Sequence, residues 1–334
     1  MMIGPVRNRP PGVGDDMEPR KIFITGMSGY LGTCLCRELD RLDSVQRFLG
    51  MDLRAPLYKF NKGEFRRMDV TDPGLADWVS EVRPDVFIHL AYVVEQSHDE
   101  KLMRRVNFEG SRNALQAAAR AEVPQVLVAS SGTAYGAWPD NPARLKENDP
   151  LRPNPGFLYA VDKARVEKLC QEFLKERPRT ILSLIRPCVV YGPGVNNYLS
   201  DLLTGPLLMS LRGYQPPLQF IHEDDVVGAI LRILERRAQG PFNLAPPDTV
   251  SMEEVFALAQ RLALWLPDWL ATPLVKLEWA LHIPMLRVSP AFLDYIRYSW
   301  AMDSTRLRDE LGYRLRYSTR ETVEIMLRAK GILP

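Results

Sequence analysis

The chain has 334 residues, 46% of them apolar and 25% charged, with a net charge of +2. That balance excludes a disordered chain, and the near-neutral total excludes a field built for nucleic acid or acidic membranes. Four unclustered histidines and four cysteines (Cys34, Cys36, Cys170 and Cys188) with no Cys-x-x-Cys predict free thiols in a reducing cytoplasm and no metal site.

Residues 1–20 hold Pro5, Pro10, Pro11, Gly12 and Gly14 without the apolar run of a signal peptide, and read as a disordered leader. From Lys21 the pattern is regular. Lys21–Thr25 is a short apolar run, as in a strand buried on both faces. A glycine-rich turn follows, then Leu31, Leu35 and Leu39 at helical spacing. Further strands are expected at 47–51 ending on Asp52, at 64–68 ending on Asp69, and at 86–90, 126–129 and 181–185. Amphipathic stretches such as Asn113–Ala121 separate most of them. Alternation of this kind predicts a doubly wound parallel sheet, a Rossmann domain over 21–186.

After Arg186 prolines loosen the rhythm, and 187–334 reads as a smaller, mostly helical substrate lobe whose segment at about 219–245 returns to the Rossmann domain. Val227, Ile230, Leu231 and Leu234 mark a helix that Asp224 or Asp225 is placed to cap. The stretch 250–300 is helical in period. Within it Trp265, Trp269 and Trp279 sit among leucines, as a lobe-packing pair, an apolar pocket or a membrane-facing surface. No segment has the ~18 consecutive apolar residues of a membrane span.

Two constellations carry chemistry. Gly26, Gly29 and Gly32, with Ser28, Tyr30 and Leu31 between them, form Gly-x-x-Gly-x-x-Gly between a strand and a helix. Such glycines allow a tight turn, close approach of a pyrophosphate, and close helix–sheet packing over a helix N-terminus. Asp52, twenty residues past Gly32, is placed to accept the adenosine ribose hydroxyls and to repel a 2′-phosphate, which predicts NAD. Arg54 opposes that preference unless it pairs with Asp52, and Asp69-Val70 is placed to meet the adenine.

The second constellation is Tyr159 and Lys163, four apart on one helix face, where an ammonium favours a phenolate. Ser130 and Ser131 leave the fifth strand at the carboxyl edge, where such sheets bind ligands.

These motifs, with His89-Leu90-Ala91, Val106-Asn107, Tyr135-Gly136, Arg186-Pro187 and Tyr191-Gly192-Pro193-Gly194, resemble the extended short-chain dehydrogenase/reductases. Within them the chain resembles the NAD-dependent epimerase/dehydratase family, of which UDP-galactose 4-epimerase is the familiar member. The resemblance runs from Lys21 to the C-terminus. It implies Ser131 as the catalytic hydroxyl, Tyr159 as acid/base with Lys163 as its partner, Asn107 as a structural asparagine, and Leu90, Ala91 and Pro187 near the cofactor. It also implies a homodimer through the Tyr159 helix and the helix after the fourth strand.

Gly132, Thr133 and Ala134 replace the carboxylates or cysteine of the family's dehydratases, decarboxylases and 3,5-epimerases, leaving redox at one carbinol. Val189 replaces the family's usual asparagine near the substrate diphosphate, and Tyr92 replaces an alanine. With Thr133 and His222 these are the candidate substrate contacts. The leading expectation is a 4-epimerase acting on a nucleotide-linked sugar through a transient ketone. The alternatives are a dehydrogenase or reductase of an apolar, sterol-like or isoprenoid-like alcohol or ketone, and a non-catalytic NAD-binding regulator. Retention of Ser131, Tyr159 and Lys163 together weighs against the last.

Overall fold

The computed structural model describes residues 20–94, 98–283 and 288–334. The expected leader lies outside them apart from Arg20, which already belongs to the first strand.

The first half alternates β1 (Arg20–Thr25), α1 (Tyr30–Leu39), β2 (Val45–Asp52), β3 (Gly63–Arg67), α2 (Leu75–Val82), β4 (Val86–His89), α3 (Glu100–Arg104), α4 (Gly110–Arg120), β5 (Gln125–Ala129), α5 (Leu158–Glu176) and β6 (Ile181–Pro187). The second half has β7 (Val189–Tyr191), α6 (Tyr198–Thr204), β8 (Leu207–Leu211), β9 (Phe220–His222), α7 (Glu223–Glu235), β10 (Gly240–Leu244), α8 (Met252–Ala259) and β11 (Leu262–Leu266). The helices α9 (Asp268–Ala280), α10 (Asp294–Arg297), α11 (Thr305–Leu311) and α12 (Thr319–Ala329) complete it.

Seven strands form one parallel sheet in the order β10-β6-β5-β4-β1-β2-β3. The order reverses between β1 and β4, and the crevice above their carboxyl ends is where such sheets take ligands. Strand alternation divides the core. Ile22, Ile24, Phe48 and Ile88 face α1 and α7, while Phe23, Leu49, Phe87 and Val126 face α2, α4 and α5. Burial on both faces explains why these strands read as continuous apolar runs. The expected return of 219–245 takes the form of β10 at the sheet edge beside β6, with α7 packed against α1.

Two local expectations are corrected. Neither Asp224 nor Asp225 caps α7. His222 is its N-cap, its Nδ1 accepting the Asp224 N–H at 3.1 Å. Asp225 instead accepts the backbone N–H groups of Arg316 and Tyr317, tying α7 to the approach of α12. The stretch 250–300 is not helical throughout. Leu262–Leu266 is a strand, paired in parallel with β8 in a two-stranded sheet. Apolar residues at nearly every position satisfy a helical period and an extended one alike.

Candidate functional site

The glycine turn joins β1 to α1 with no spare space. Gly26 has φ +77°, and a Cβ on it would stand 2.5 Å from the Ala91 backbone N. A Cβ on Gly32 would stand 2.1 Å from the Gly26 carbonyl oxygen. The N-cap of α1 is Gly29, which offers no side-chain cap to the helix's free N–H groups. Ser28 Oγ is buried with no hydrogen-bond partner. A bare helix N-terminus, glycines that let an outer group approach, and an orphaned hydroxyl together fit a dinucleotide pyrophosphate. Asp52 lies under this turn at the end of β2, accepting the Ser28 N–H at 3.3 Å and the Arg54 N–H at 3.2 Å. It therefore meets the Arg54 backbone rather than forming the expected guanidinium pair.

At the other end of the crevice Ser131 caps a 3₁₀ turn over Gly132–Tyr135, accepting the Thr133 N–H at 3.2 Å and the Thr133 hydroxyl at 2.9 Å. Tyr159 and Lys163 rise from the first turns of α5. The Lys163 ammonium donates to the Ala129 carbonyl at 2.6 Å and sits 3.4 Å from the centre of the Tyr92 ring. Tyr92 meets the Tyr159 ring edge to face, with centroids 5.5 Å apart. The bulky ring that replaces an alanine thus forms one wall of the Lys163 pocket.

Burial dominates the electrostatics. It pushes the Tyr159 phenol up to about 12, against a hydrogen bond with Ser131 that pulls the other way. It draws the Lys163 ammonium down to about 7, against Glu167, Cys170 and Asp162. The expected lowering of Tyr159 by Lys163 is therefore overridden by desolvation in the protein alone, because the ammonium is 5.6 Å from the ring centre and itself poorly solvated. His89, beneath Lys163, is held neutral at about 3 by burial and by that ammonium. Its network gives the tautomer: the Ser111 hydroxyl donates to the Asn107 carbonyl, so His89 Nε2 donates to Ser111 and Nδ1 accepts from Thr25.

A cavity of about 960 Å³ joins the two ends. Among its walls are Gly26, Gly29, Tyr30, Leu31, Gly32, Arg54, Leu90, Tyr92, Ser131, Thr133, Tyr159, Lys163, Pro187 and Val189. His222, Asp69, Val70 and Asn107, also expected near the ligands, are not among the cavity walls. His222 is buried in its capping role and stacks on Tyr317, with ring centroids 4.1 Å apart, away from the cavity walls. Asp69 pairs with Arg105 at 2.9 Å, and Val70 packs on Gly110. Asn107 lies in a π-helical turn and accepts the Val93 N–H at 2.8 Å, pinning the strand exit that carries Tyr92. Trp265, Trp269 and Trp279 are not among the cavity walls, whereas Trp300 is. Trp265 packs on Phe256, Trp279 stacks on His98, and Trp269 is exposed. Their neighbours Leu266, Ala271, Leu274 and Val275 do line it.

Three supports were not expected from the sequence. Glu167 and Arg186 form a buried pair at 2.6 Å beneath the site. Glu167 also accepts from Ser130, and Arg186 donates to the Tyr135 hydroxyl. Glu167 lies one turn past Lys163, a spacing from which its proximity was readable. The Tyr30 hydroxyl donates to Glu223 at 2.5 Å, locking the glycine turn to α7. The Tyr295 hydroxyl donates to the Thr133 carbonyl at 2.7 Å. Partners 193 and 162 residues apart carry no local signal.

A sequence model of the NAD-dependent epimerase/dehydratase family matches residues 22–245. An uncharacterized protein of Mycobacterium tuberculosis is 26% identical over 323 residues, covering 95% of this chain and 85% of its own length. GDP-6-deoxy-D-mannose reductase of Pseudomonas aeruginosa is 28% identical over 262 residues, covering 73% of this chain and 80% of its own. Among solved structures, MoeE5 in complex with UDP-glucuronic acid and NAD superposes with a TM-score of 0.75 at 22% identity, over 93% of this chain and 99% of that one.

Proposed function

The chain belongs to the NAD-dependent epimerase/dehydratase family, and from that premise we propose that it interconverts a single secondary carbinol and its ketone in a substrate that is otherwise apolar. The cofactor, when bound, would supply the hydride acceptor as NAD in oxidation and the hydride donor as NADH in reduction. The turn at Gly26–Gly32 would hold its pyrophosphate and Asp52 its adenosine ribose, while Lys163 would hold the ribose nearest the reaction. Ser131 holds the substrate oxygen. Tyr159 takes the hydroxyl proton in oxidation and returns it in reduction. The Tyr92 ring and the burial of Lys163 exclude water from that exchange.

The observation that carries the substrate class is the charge of the cavity walls. Among the described residues its cations are Arg54, beside the glycine turn, and Lys163, beside Tyr159. Beyond Lys163 the substrate end shows no cation among the described residues, and its charged groups there are the carboxylates Asp201 and Glu278, set among leucines and aromatic rings. A nucleotide diphosphate asks for cationic donors and is repelled by carboxylates. This reading therefore prefers the apolar alcohol or ketone to the nucleotide-linked sugar.

The test is a comparison of substrates with NAD present, following absorbance at 340 nm and identifying products by mass spectrometry. Steroid or isoprenoid secondary alcohols should give net NADH and the matching ketone. Interconversion of UDP-galactose and UDP-glucose, with no net NADH and no turnover of the apolar alcohols, would restore the epimerase and discard the apolar reading.

The position of Asp52 gives a second expectation. NAD(H) should bind more tightly than NADP(H) by titration, and Asp52→Ala should narrow the gap; equal affinities in the parent protein would promote Arg54 to a phosphate ligand. A homodimer through α4 and α5 belongs to the same proposal, and a single-chain mass by light scattering at micromolar concentration would remove it.

A further inference from the structure

Helix α9 is amphipathic in the reverse sense. Trp269, Leu274, Leu277 and Leu281 are 77%, 49%, 56% and 60% exposed, whereas its one glutamate, Glu278, is buried. Beside it the strand β11 presents Leu262 at 76% and Leu264 at 41% exposed. Single exposed leucines are ordinary, but six exposed large apolar side chains within the twenty residues Leu262 to Leu281 are a concentration of the kind that marks an interaction surface. No described helix is long and apolar enough to cross a membrane, so this surface is not part of a span.

The exposed charges described at the β11 end of the patch and on α9 itself are cations, whereas Asp99 and Glu100 lie by its far end, next to the His98 that stacks on Trp279. Arg212, Arg261 and Lys276 are exposed on it or at its rim. The acids of α9 are out of play, since Asp268 is paired with Arg297 at 2.5 Å and Glu278 is buried. A tryptophan and leucines flanked by these cations match the headgroup boundary of an anionic bilayer, where the rings and chains enter and the cations meet lipid phosphates. A second copy of the chain fits less well, because an isologous contact would bring the same cations against one another. The patch is also continuous with the cavity: Leu274 and Leu207 line the cavity and are each about half exposed.

We propose that α9 and β11 dock this protein on the surface of an anionic lipid bilayer, with the cavity opening toward the membrane beside Leu274 and Leu207. The entry route rests on the apolar-substrate reading, but docking is measured without turnover, so the two fail separately. The experiment is co-sedimentation of the full chain with vesicles of phosphatidylcholine alone and of phosphatidylcholine containing phosphatidylglycerol. The parent should sediment with the anionic vesicles and largely remain in solution with the neutral ones.

Leu277→Glu with Leu281→Glu should weaken that binding by roughly ten-fold or more, since each change withdraws a leucine from the apolar boundary. Neither residue is among the cavity walls, so NAD binding and the circular dichroism spectrum should match the parent. Lys276→Glu, a surface change with little bearing on folding, should weaken anionic-vesicle binding alone. A parent protein that stays in solution with both vesicles overturns the proposal. So does a double variant that leaves vesicle binding unchanged, or one that halves the mass measured by light scattering, which would make this face a contact between copies.

Discussion

Tyr159→Phe should lower turnover by about 10²–10⁴-fold while leaving folding and NAD binding intact. A hydride leaves a carbinol only as the hydroxyl proton leaves, so an acid/base group must stand within a hydrogen bond of that oxygen. Tyr159 is buried beside Lys163 and shares the cavity wall with Ser131, at the meeting of the cofactor and substrate ends of the cavity. The phenylalanine ring keeps the edge contact with Tyr92 and loses only the hydroxyl. Tyr92 is the necessary control, because it is a second phenol on the same cavity. Its hydroxyl is buried without a hydrogen-bond partner, and it touches Lys163 through its ring face, so Tyr92→Phe should retain most of the activity. Single-turnover rates and NAD titration together separate chemistry from binding. Parental turnover in Tyr159→Phe, or the larger loss in Tyr92→Phe, would discard the assignment.

Glu167→Ala should destabilise the protein by about 3–5 kcal/mol, because it leaves the buried Arg186 guanidinium without its counter-charge. Burial alone would draw Arg186 down, but the Glu167 carboxylate overrides it and holds the guanidinium above its ordinary value. Arg186 cannot shed its proton to escape the cost, since its remaining partners, the Tyr135 hydroxyl and the Glu147 carbonyl, are neutral acceptors. Ser130 loses its acceptor in the same change. Glu167→Gln keeps the shape and one acceptor oxygen and should cost less. Urea denaturation followed by circular dichroism gives the comparison. A midpoint for Glu167→Ala equal to that of the parent would show that the pair contributes nothing to stability.

Much of the architecture was legible because a parallel sheet buries both faces of each strand. Lys21–Thr25 and 86–90 therefore appear as mostly apolar runs without strict alternation, and the amphipathic stretch at 113–121 appears as the helix covering them. The glycine triplet was legible for a steric reason. At Gly26 and Gly32 any side chain would collide with backbone, so the need for glycine is written at the positions themselves. The Tyr159–Lys163 spacing was legible because helix geometry alone sets those two residues on one face.

The surroundings of those motifs were decided only by the folded chain. His222, Asp225 and Leu262–Leu266 were misread because a cap or a strand depends on which neighbour arrives, and Arg316, Tyr317 and β8 come from distant sequence. The burial that raises the Tyr159 phenol in the protein without cofactor was hidden for the same reason. The pair charge was visible in the sequence, but the desolvation that outweighs it arises from walls supplied by separate segments. The sequence by itself determined the sheet, the glycine turn and the placing of Tyr159 and Lys163 on one helix face, since each depends on residues within one or two turns of chain. The apolar, carboxylate-bearing substrate end and the inverted face of α9 exist only in the tertiary structure. Whether a leucine or a glutamate is buried depends on what packs against it, and sequence periodicity carries no record of that.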